Sequence, residues 1–203
     1  MKVLVACEFS GVVRDCFIAL GHDATSCDFL DSEAIGPHIK GDCLKPLYEE
    51  EWDLVIAHPP CTYLSSSGLH WNKKQPERAQ KTEDALQFVS DIWNAPVEKM
   101  CLENPVGCIN TRLSFMPKPQ YIQPYDFGED ASKKTGLWLR GLPNLKATDH
   151  FPGRTVEIQG KKYNRWSNQS DSGQSKLGGG SGHERSKTYF GIAAAMATQW
   201  GRE

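Results

Sequence analysis

Residues Trp52 to Gly68, WDLVIAHPPCTYLSSSG, constrain this chain more than any other stretch. Asp53 to Ala57 is a short, mostly apolar and partly β-branched run, and His58-Pro59-Pro60 stops it because proline cannot donate to a β-ladder. The pattern predicts a buried strand with Cys61 on the loop at its C-terminal end. Ligands of open α/β sheets bind at that edge, so a thiol held there by a stiff Pro-Pro step is positioned for chemistry. The ordinary role of a cysteine is that of a small buried hydrophobe. Two prolines, Thr62-Tyr63 and the tail Ser65-Ser66-Ser67-Gly68 argue against that role, because a core cysteine needs no such loop.

The same punctuation recurs along the chain. Lys2 to Ala6 is a β-prone run, followed by the turn Cys7-Glu8-Phe9-Ser10-Gly11 and an amphipathic stretch from Val12 to Leu20 that ends at Gly21. Strand, glycine-containing turn and helix are predicted, with the turn holding a ligand against the helix N-terminal amides. A small residue in a short turn of any α/β protein is the competing reading. A second strand, His22 to Cys27, ends in Asp28, where α/β nucleotide sites hold ribose hydroxyls. Ile39 to Leu44 reads as a third strand with a terminal Gly41-Asp42, and Trp52 to Ala57 is the fourth.

Gln75 to Trp93 carries Ala85, Leu86, Phe88, Val89, Ile92 and Trp93 at helical spacing, which predicts a helix over one sheet face. Val97 to Leu102 then resumes a strand that runs into Glu103-Asn104-Pro105, a second polar pair punctuated by proline. Consecutive strands are commonly neighbours, so Glu103 and Cys61 are expected to face one pocket. A surface glutamate before an asparagine turn is the alternative. Tyr121–Phe127 and Thr135–Arg140 are further strand candidates, and Glu184 to Trp200 is a closing helix. Between them, about 141–183, lies a section rich in Pro, Gly and Ser that interleaves Arg154, Lys161, Lys162 and Arg165 with Phe151, Tyr163 and Trp166. It reads as irregular, with a composition that suits phosphates and exposed bases, or as a merely solvated loop.

Composition narrows the class. With 203 residues, 39% of them hydrophobic, and a formal net charge of −2, the chain fits one globular domain over 1–203. No apolar run approaches a membrane span, and MKVLVACEFSG is interrupted too early to be a signal peptide, so a cytoplasmic protein is expected. The seven cysteines are scattered singly without a C-x-x-C pair, which predicts reduced thiols and no metal site.

Taken together, these motifs resemble the cytosine-5 DNA methyltransferases, a family that uses S-adenosylmethionine, and the likeness in motif order spans most of the chain. Pro59-Pro60-Cys61 with its serine-rich turn and Gly68 looks like the family's catalytic Pro-Cys loop, and Glu103-Asn104-Pro105 resembles its Glu-Asn dipeptide. Phe9-Ser10-Gly11 is similar to its glycine-rich cofactor turn, without the usual second and third glycines. Gly191 to Met196 is similar to a degenerate form of its last helix. Lys133-Lys134 falls where the family has a Gln-Arg-Arg-type segment. The resemblance implies an α/β, doubly wound, mostly parallel sheet of Rossmann-like methyltransferase type. It implies Cys61 and Glu103 as catalytic residues, with Glu8, Phe9, Ser10, Gly11, Asp28, Asp42 and Pro59 at S-adenosylmethionine. Asn104, Ser66, Lys133 and Lys134 would meet the substrate, DNA with a flipped cytosine or a single strand. The short insert suits a compact phage-type or prophage-type member that lacks a large target-recognition part, which leaves room for a separate recognition partner.

The chemistry accounts for these residue types. Carbon 5 of cytosine is a poor nucleophile, so a thiolate first adds at carbon 6, and Cys61 needs an electropositive neighbour to ionise. His58 is near in sequence, although strand geometry can point it away. Addition drives charge to ring nitrogen 3, where a Glu103 kept protonated by burial would donate. Nothing in the sequence identifies the base that removes the carbon 5 proton. Two readings compete: an amino-methyltransferase of adenine N6 or cytosine N4, or a free-nucleotide methyltransferase, on one side, and a catalytically silent nucleic-acid or protein binding module on the other.

Overall fold

A computed structural model describes residues 1–176 and 182–202, so the Leu177-to-Ser181 part of the Ser/Gly-rich insert lies outside the described residues. The chain runs β1 (Lys2–Ala6), α1 (Val12–Ala19), β2 (Asp23–Asp28), β3 (His38–Lys40), α2 (Leu44–Glu49), β4 (Leu54–Ala57), α3 (Ser66–Leu69), α4 (Pro76–Trp93) and β5 (Met100–Pro105). It continues through α5 (Ile109–Arg112), β6 (Gln120–Ile122), β7 (Thr135–Arg140), β8 (Arg154–Ile158), β9 (Lys161–Arg165), α6 (Gly182–Ser186) and α7 (Phe190–Trp200). Seven strands form one sheet in the order β3-β2-β1-β4-β5-β7-β6. The first five strands are parallel to one another, and β7 is antiparallel to both β5 and β6. This is a doubly wound, Rossmann-like α/β fold, with the order reversing between β1 and β4.

Alternation along the strands sorts the core into two layers. Val3, Val5, Leu54, Ile56 and Cys101 pack with Val13, Phe17, Met196 and Trp200 of α1 and α7. Leu4, Ala6, Val55, Ala57, Met100 and Leu102 face Leu86, Val89, Ile92 and Trp93 of α4 on the other side. A central parallel sheet is covered on both faces, which is why its strands read as continuous apolar runs. Among the described residues no helix is long and apolar enough to cross a membrane.

Tertiary contacts add to the expected pattern and in places correct it. Arg14, in the amphipathic stretch of α1, is fully buried and donates to Ser26 Oγ, Ser32 Oγ and the carbonyls of Ala34 and Pro37, tying the 32–37 loop to the helix. The strand predicted at Tyr121–Phe127 is shorter, because Pro124 lacks a donor and opens a 3-10 turn over Pro124–Asp126. The closing helix is divided into α6 and α7. The start of α7 is fixed instead by tertiary contacts, Gly191 donating to Glu129 Oε1 at 2.9 Å while its backbone passes against the Phe127 carbonyl. The insert is not wholly irregular: β8 and β9 make an antiparallel hairpin around Gln159-Gly160, whose φ values of 51° and 76° are those of a two-residue hairpin turn. Its aromatic residues are only partly open to bases, since Trp166 stacks on Tyr125 at 4.0 Å and donates to the Phe151 carbonyl.

Candidate functional site

The site lies where β4 and β5 end side by side. His58 still donates its amide to the Ala6 carbonyl, and the ladder stops at Pro59 and Pro60. The Cys61 carbonyl then accepts from the amides of both Leu64 and Ser65 at 3.0 Å, which closes a tight turn. From the β5 side, Asn104 donates Nδ2 to the Pro59 carbonyl at 2.7 Å. Further along, Ser66 donates its amide to Val106 and Cys108 donates to Leu64. Gly107 makes this seam passable: a Cβ there would stand 2.0 Å from the Leu64 carbonyl oxygen.

Cys61 and Glu103 are brought together, close enough that the Glu103 charge raises the Cys61 thiol. Burial of the thiol raises it more, and Lys133 and Arg185 pull in the opposite direction without overcoming the two. Cys61 therefore rests as a thiol above its ordinary range, and the electropositive neighbours that the chemistry asks for are Lys133 and Arg185. Arg185 sits on α6, more than 120 positions along the chain from Cys61. No local signal in the sequence points to it.

Glu103 corrects the expected protonation. Burial does push its carboxyl up, but the hydrogen bond from His58, the charge of Lys133 and the Thr135 hydroxyl outweigh it and hold the group below the usual glutamate range. His58 Nδ1 lies 3.2 Å from Glu103 Oε2. The β4–β5 register pairs Val55 with Met100 and Ala57 with Leu102, so one step further brings His58 beside Glu103. His58 and Glu103 also fall on the strand positions that face the same way as Ile56 and Cys101. That parity is the signal in the sequence that identifies the pair.

The remaining predicted positions separate. Lys133 is half-buried beside Cys61 and Glu103 and donates Nζ to the Arg185 carbonyl at 2.8 Å. Lys134 is exposed and lies over the Tyr121 ring at 4.5 Å. Asn104, expected at substrate, is 1% exposed and donates Nδ2 to the Pro59 carbonyl, which ties β5 to the Cys61 loop. Ser66 is exposed at the first turn of α3.

The turn after β1 is also corrected. The α1 amides do not await a ligand: Glu8 takes those of Val13 at 2.7 Å and Arg14 at 3.3 Å, and Ser10 Oγ takes that of Val12. Glu8 is buried, and burial raises its carboxyl despite these bonds. Gly11 has φ 77°, and a Cβ there would meet the Arg14 guanidinium at 2.5 Å. Phe9 stacks on His183 of α6 at 4.3 Å, and His183 Nε2 and Lys187 Nζ both bind Glu33. Asp28 and Asp42 end β2 and follow β3, each with one oxygen on a nearby amide, Leu30 and Leu44. This edge is rich in carboxylates and has no free helix-terminal amides, so an anion is disfavoured. A ligand carrying ammonium or sulfonium charge and ribose hydroxyls fits such acceptors.

The two oppositely acting neighbours of Cys61 give a direct test. Its alkylation, followed site by site by mass spectrometry, should rise with pH through a range above that of an ordinary thiol. Glu103→Gln should speed it at pH 8, about tenfold for each unit by which the thiol falls, and Lys133→Met should slow it. Unchanged rates in both variants would contradict the electrostatic coupling.

No protein-family model and no curated protein matches the sequence. Among solved structures, the chain is similar to a candidate DNA modification methyltransferase encoded within a prophage (E. coli), with 16% identity and a TM-score of 0.43. That overlap covers 68% of this chain and 45% of the other, so the chain spans less than half of that protein's length. It is also similar to the delta-N METTL16 MTase domain, with 13% identity, a TM-score of 0.35, and coverage of 70% and 73%. The strand order of the sheet, rather than either partial overlap, identifies the fold.

Proposed function

We propose that this chain methylates carbon 5 of cytosine in DNA, using S-adenosylmethionine, through a covalent adduct on Cys61. The observation that carries the reading is the juxtaposition of Cys61 and Glu103 on adjacent strand ends, with Lys133 and Arg185 acting on the thiol. Asp28 and Asp42 would hold the cofactor through its cationic and hydroxyl groups, beside Glu8, Phe9, Ser10, Gly11 and Pro59. The cofactor supplies the methyl group.

The chain's own residues do the rest. The Cys61 thiol first gives its proton to solvent, the thiolate Sγ then forms a bond to ring carbon 6, and the electron pair displaced from the carbon 5–carbon 6 double bond makes carbon 5 nucleophilic. Charge at nitrogen 3 is met by a proton delivered at Glu103. After methylation the carbon 5 proton departs to solvent or a base, the double bond re-forms, and Sγ leaves as thiolate. Lys133 and Arg185 stabilise that thiolate at both ends of the cycle. Neither ring carbon is reachable inside a duplex, so the cytosine is flipped or single-stranded. Lys161 and Lys162, exposed on the β8–β9 hairpin and without ion-pair partners among the described residues, suit a phosphate backbone. A separate recognition partner remains compatible with so small a hairpin.

Product mapping tests the reading. Cytosine- and adenine-containing oligonucleotides, duplex and single-stranded, are incubated with methyl-labelled S-adenosylmethionine and digested to nucleosides. The expected product is 5-methylcytosine. N4-methylcytosine or N6-methyladenine would assign amino-group transfer instead, and label on free nucleotides alone would remove DNA as substrate. Cofactor binding without any product would identify a silent binding module.

A further inference from the structure

The loop that carries Cys61 also packs against the start of α4, and the surface made there is basic and aromatic. Tyr63 forms a wall common to two neighbouring clefts of about 460 and 380 Å³. Lys81 lines both, Arg78 lines the larger, and Pro60 lines the smaller, which therefore borders the Cys61 loop itself. Both cations lie over the Tyr63 ring, Arg78 at 4.9 Å from its centroid and Lys81 Nζ at 5.7 Å.

The surface continues along the 3-10 turn His70–Lys73. Asn72 Nδ2 donates to Thr82 Oγ1, and Thr82 Oγ1 donates to the Tyr63 carbonyl, each at 2.9 Å, so one buried hydroxyl of α4 fixes the turn and the loop together. Arg78 adds two ties, to the carbonyls of Gly68 and Thr62. On this anchored turn Trp71 is 45% exposed, with Lys74 Nζ 5.5 Å from its ring centroid. A single open ring is ordinary on a protein surface, but its setting among unpaired cations is not. Lys73, Lys74 and Lys81 are exposed and have no ion-pair partner among the described residues. The acids of this face are fewer: Glu77 and Asp84 line the clefts, Asp84 accepting from Gln80 at 3.0 Å, while Glu83 is engaged by Arg112.

We propose that this face, from Pro60 past Tyr63 and Lys81 to Trp71, is a docking surface for the single-stranded nucleic acid that flanks the target base. The inference rests on the reading of DNA as substrate and adds where the strand lies and in which form. Unneutralised lysines attract phosphates, and aromatic walls receive bases whatever their sequence. A duplex keeps its bases stacked inside, so it would meet the cations and leave Tyr63 and Trp71 uncovered. An acidic peptide would do the same. An unpaired strand alone satisfies the rings and the cations together.

The test uses the whole chain and a fluorescein-labelled single-stranded oligonucleotide of mixed sequence, followed by fluorescence anisotropy over a range of salt. Trp71→Ala should weaken binding on the order of 10-fold, as loss of one base–aromatic stack does. Changing Lys73, Lys74 and Lys81 together to Gln should flatten the slope of log K against log salt by about 2, from roughly 0.7 for each phosphate contact on a single strand. Melting temperature and S-adenosylmethionine affinity are expected to stay at wild-type values. Wild-type affinity and salt slope in both folded variants would overturn the proposal, as would a wild-type protein that binds no oligonucleotide or prefers the same strand annealed to its complement. Polyglutamate binding as tightly as the oligonucleotide would assign the face to an acidic protein instead.

One measurement needs no variant: ultraviolet crosslinking of an oligonucleotide with bromouracil beside the cytosine, mapped by mass spectrometry. Crosslinks at Tyr63 or Trp71 are expected, and crosslinks confined to the β8–β9 hairpin would overturn the proposal. Product mapping separates it from the cytosine-5 reading. A strand that binds through Trp71 and gives no 5-methylcytosine overturns that reading alone, whereas 5-methylcytosine made by variants that bind like the wild type overturns this proposal alone.

Discussion

Cys61→Ser is expected to lower turnover by at least ~10⁴-fold, as removal of a covalent nucleophile does, and to leave cofactor affinity and thermal stability close to those of the wild type. The thiol sits on a loop whose turn is held by main-chain bonds to its own carbonyl, so exchanging sulfur for oxygen disturbs none of them. The edge from Glu8 to Asp42, where the proposed cofactor would bind, belongs to different loops. Isothermal titration with S-adenosylmethionine and a melting curve check both halves. A variant that melts early or fails to fold would make Cys61 a packing residue, against the arrangement described.

Gly107→Ala is expected to destabilise the fold strongly. Its Cβ would stand 2.0 Å from the Leu64 carbonyl oxygen and 2.8 Å from the Leu64 carbonyl carbon, both backbone atoms that cannot rotate away. The strands' two loops must part, which costs about 1–3 kcal/mol as overpacking does, or roughly 2–10 °C in melting temperature for a chain of this size. Parting them also moves Cys61 relative to Glu103. A displacement near 1 Å at a reacting centre costs on the order of 10²-fold, so the rate should fall even at temperatures where the variant is folded. Gly182→Ala is the control, because a Cβ there meets nothing within 4 Å. A Gly107→Ala protein that melts and reacts like the wild type would show that the loops are not held apart by this seam.

What was readable from sequence follows from local physics. The strands leading to Cys61 and Glu103 carry short apolar runs, Leu54–Ala57 and residues 100–102, that are buried on both sheet faces and followed within a few residues by proline. The α4 periodicity was legible for the same reason, with Leu86, Val89, Ile92 and Trp93 meeting one face of the sheet. Arg14 was not, since a lone arginine on an amphipathic helix reads as solvated until the loop that surrounds it is placed. The β8–β9 hairpin is mostly exposed, so it carries no apolar alternation, and Gln159-Gly160 is a weaker turn signal than Asn-Gly. The juxtaposition of Cys61 and Glu103 was legible in sequence, and the electrostatics around the pair were not. Arg185 reaches Cys61 only through the docking of α6 by His183 on Phe9 and by the Arg185 carbonyl on Lys133. The protonation of Glu103 was misread because burial alone was weighed. Its partner His58 follows from extending the β4 register by one residue.

The central claim is that Cys61 adds to a cytosine ring while a methyl group is transferred, and one measurement addresses it most directly. The protein is incubated with S-adenosylmethionine and an oligonucleotide carrying 5-fluorocytosine, whose fluorine cannot leave as a proton does, and the intact complex and its peptides are weighed by mass spectrometry. The predicted result is a covalent species with the mass of protein, oligonucleotide and one methyl group, mapped to Cys61. No adduct on duplex or single-stranded DNA, in protein that binds S-adenosylmethionine, would contradict it.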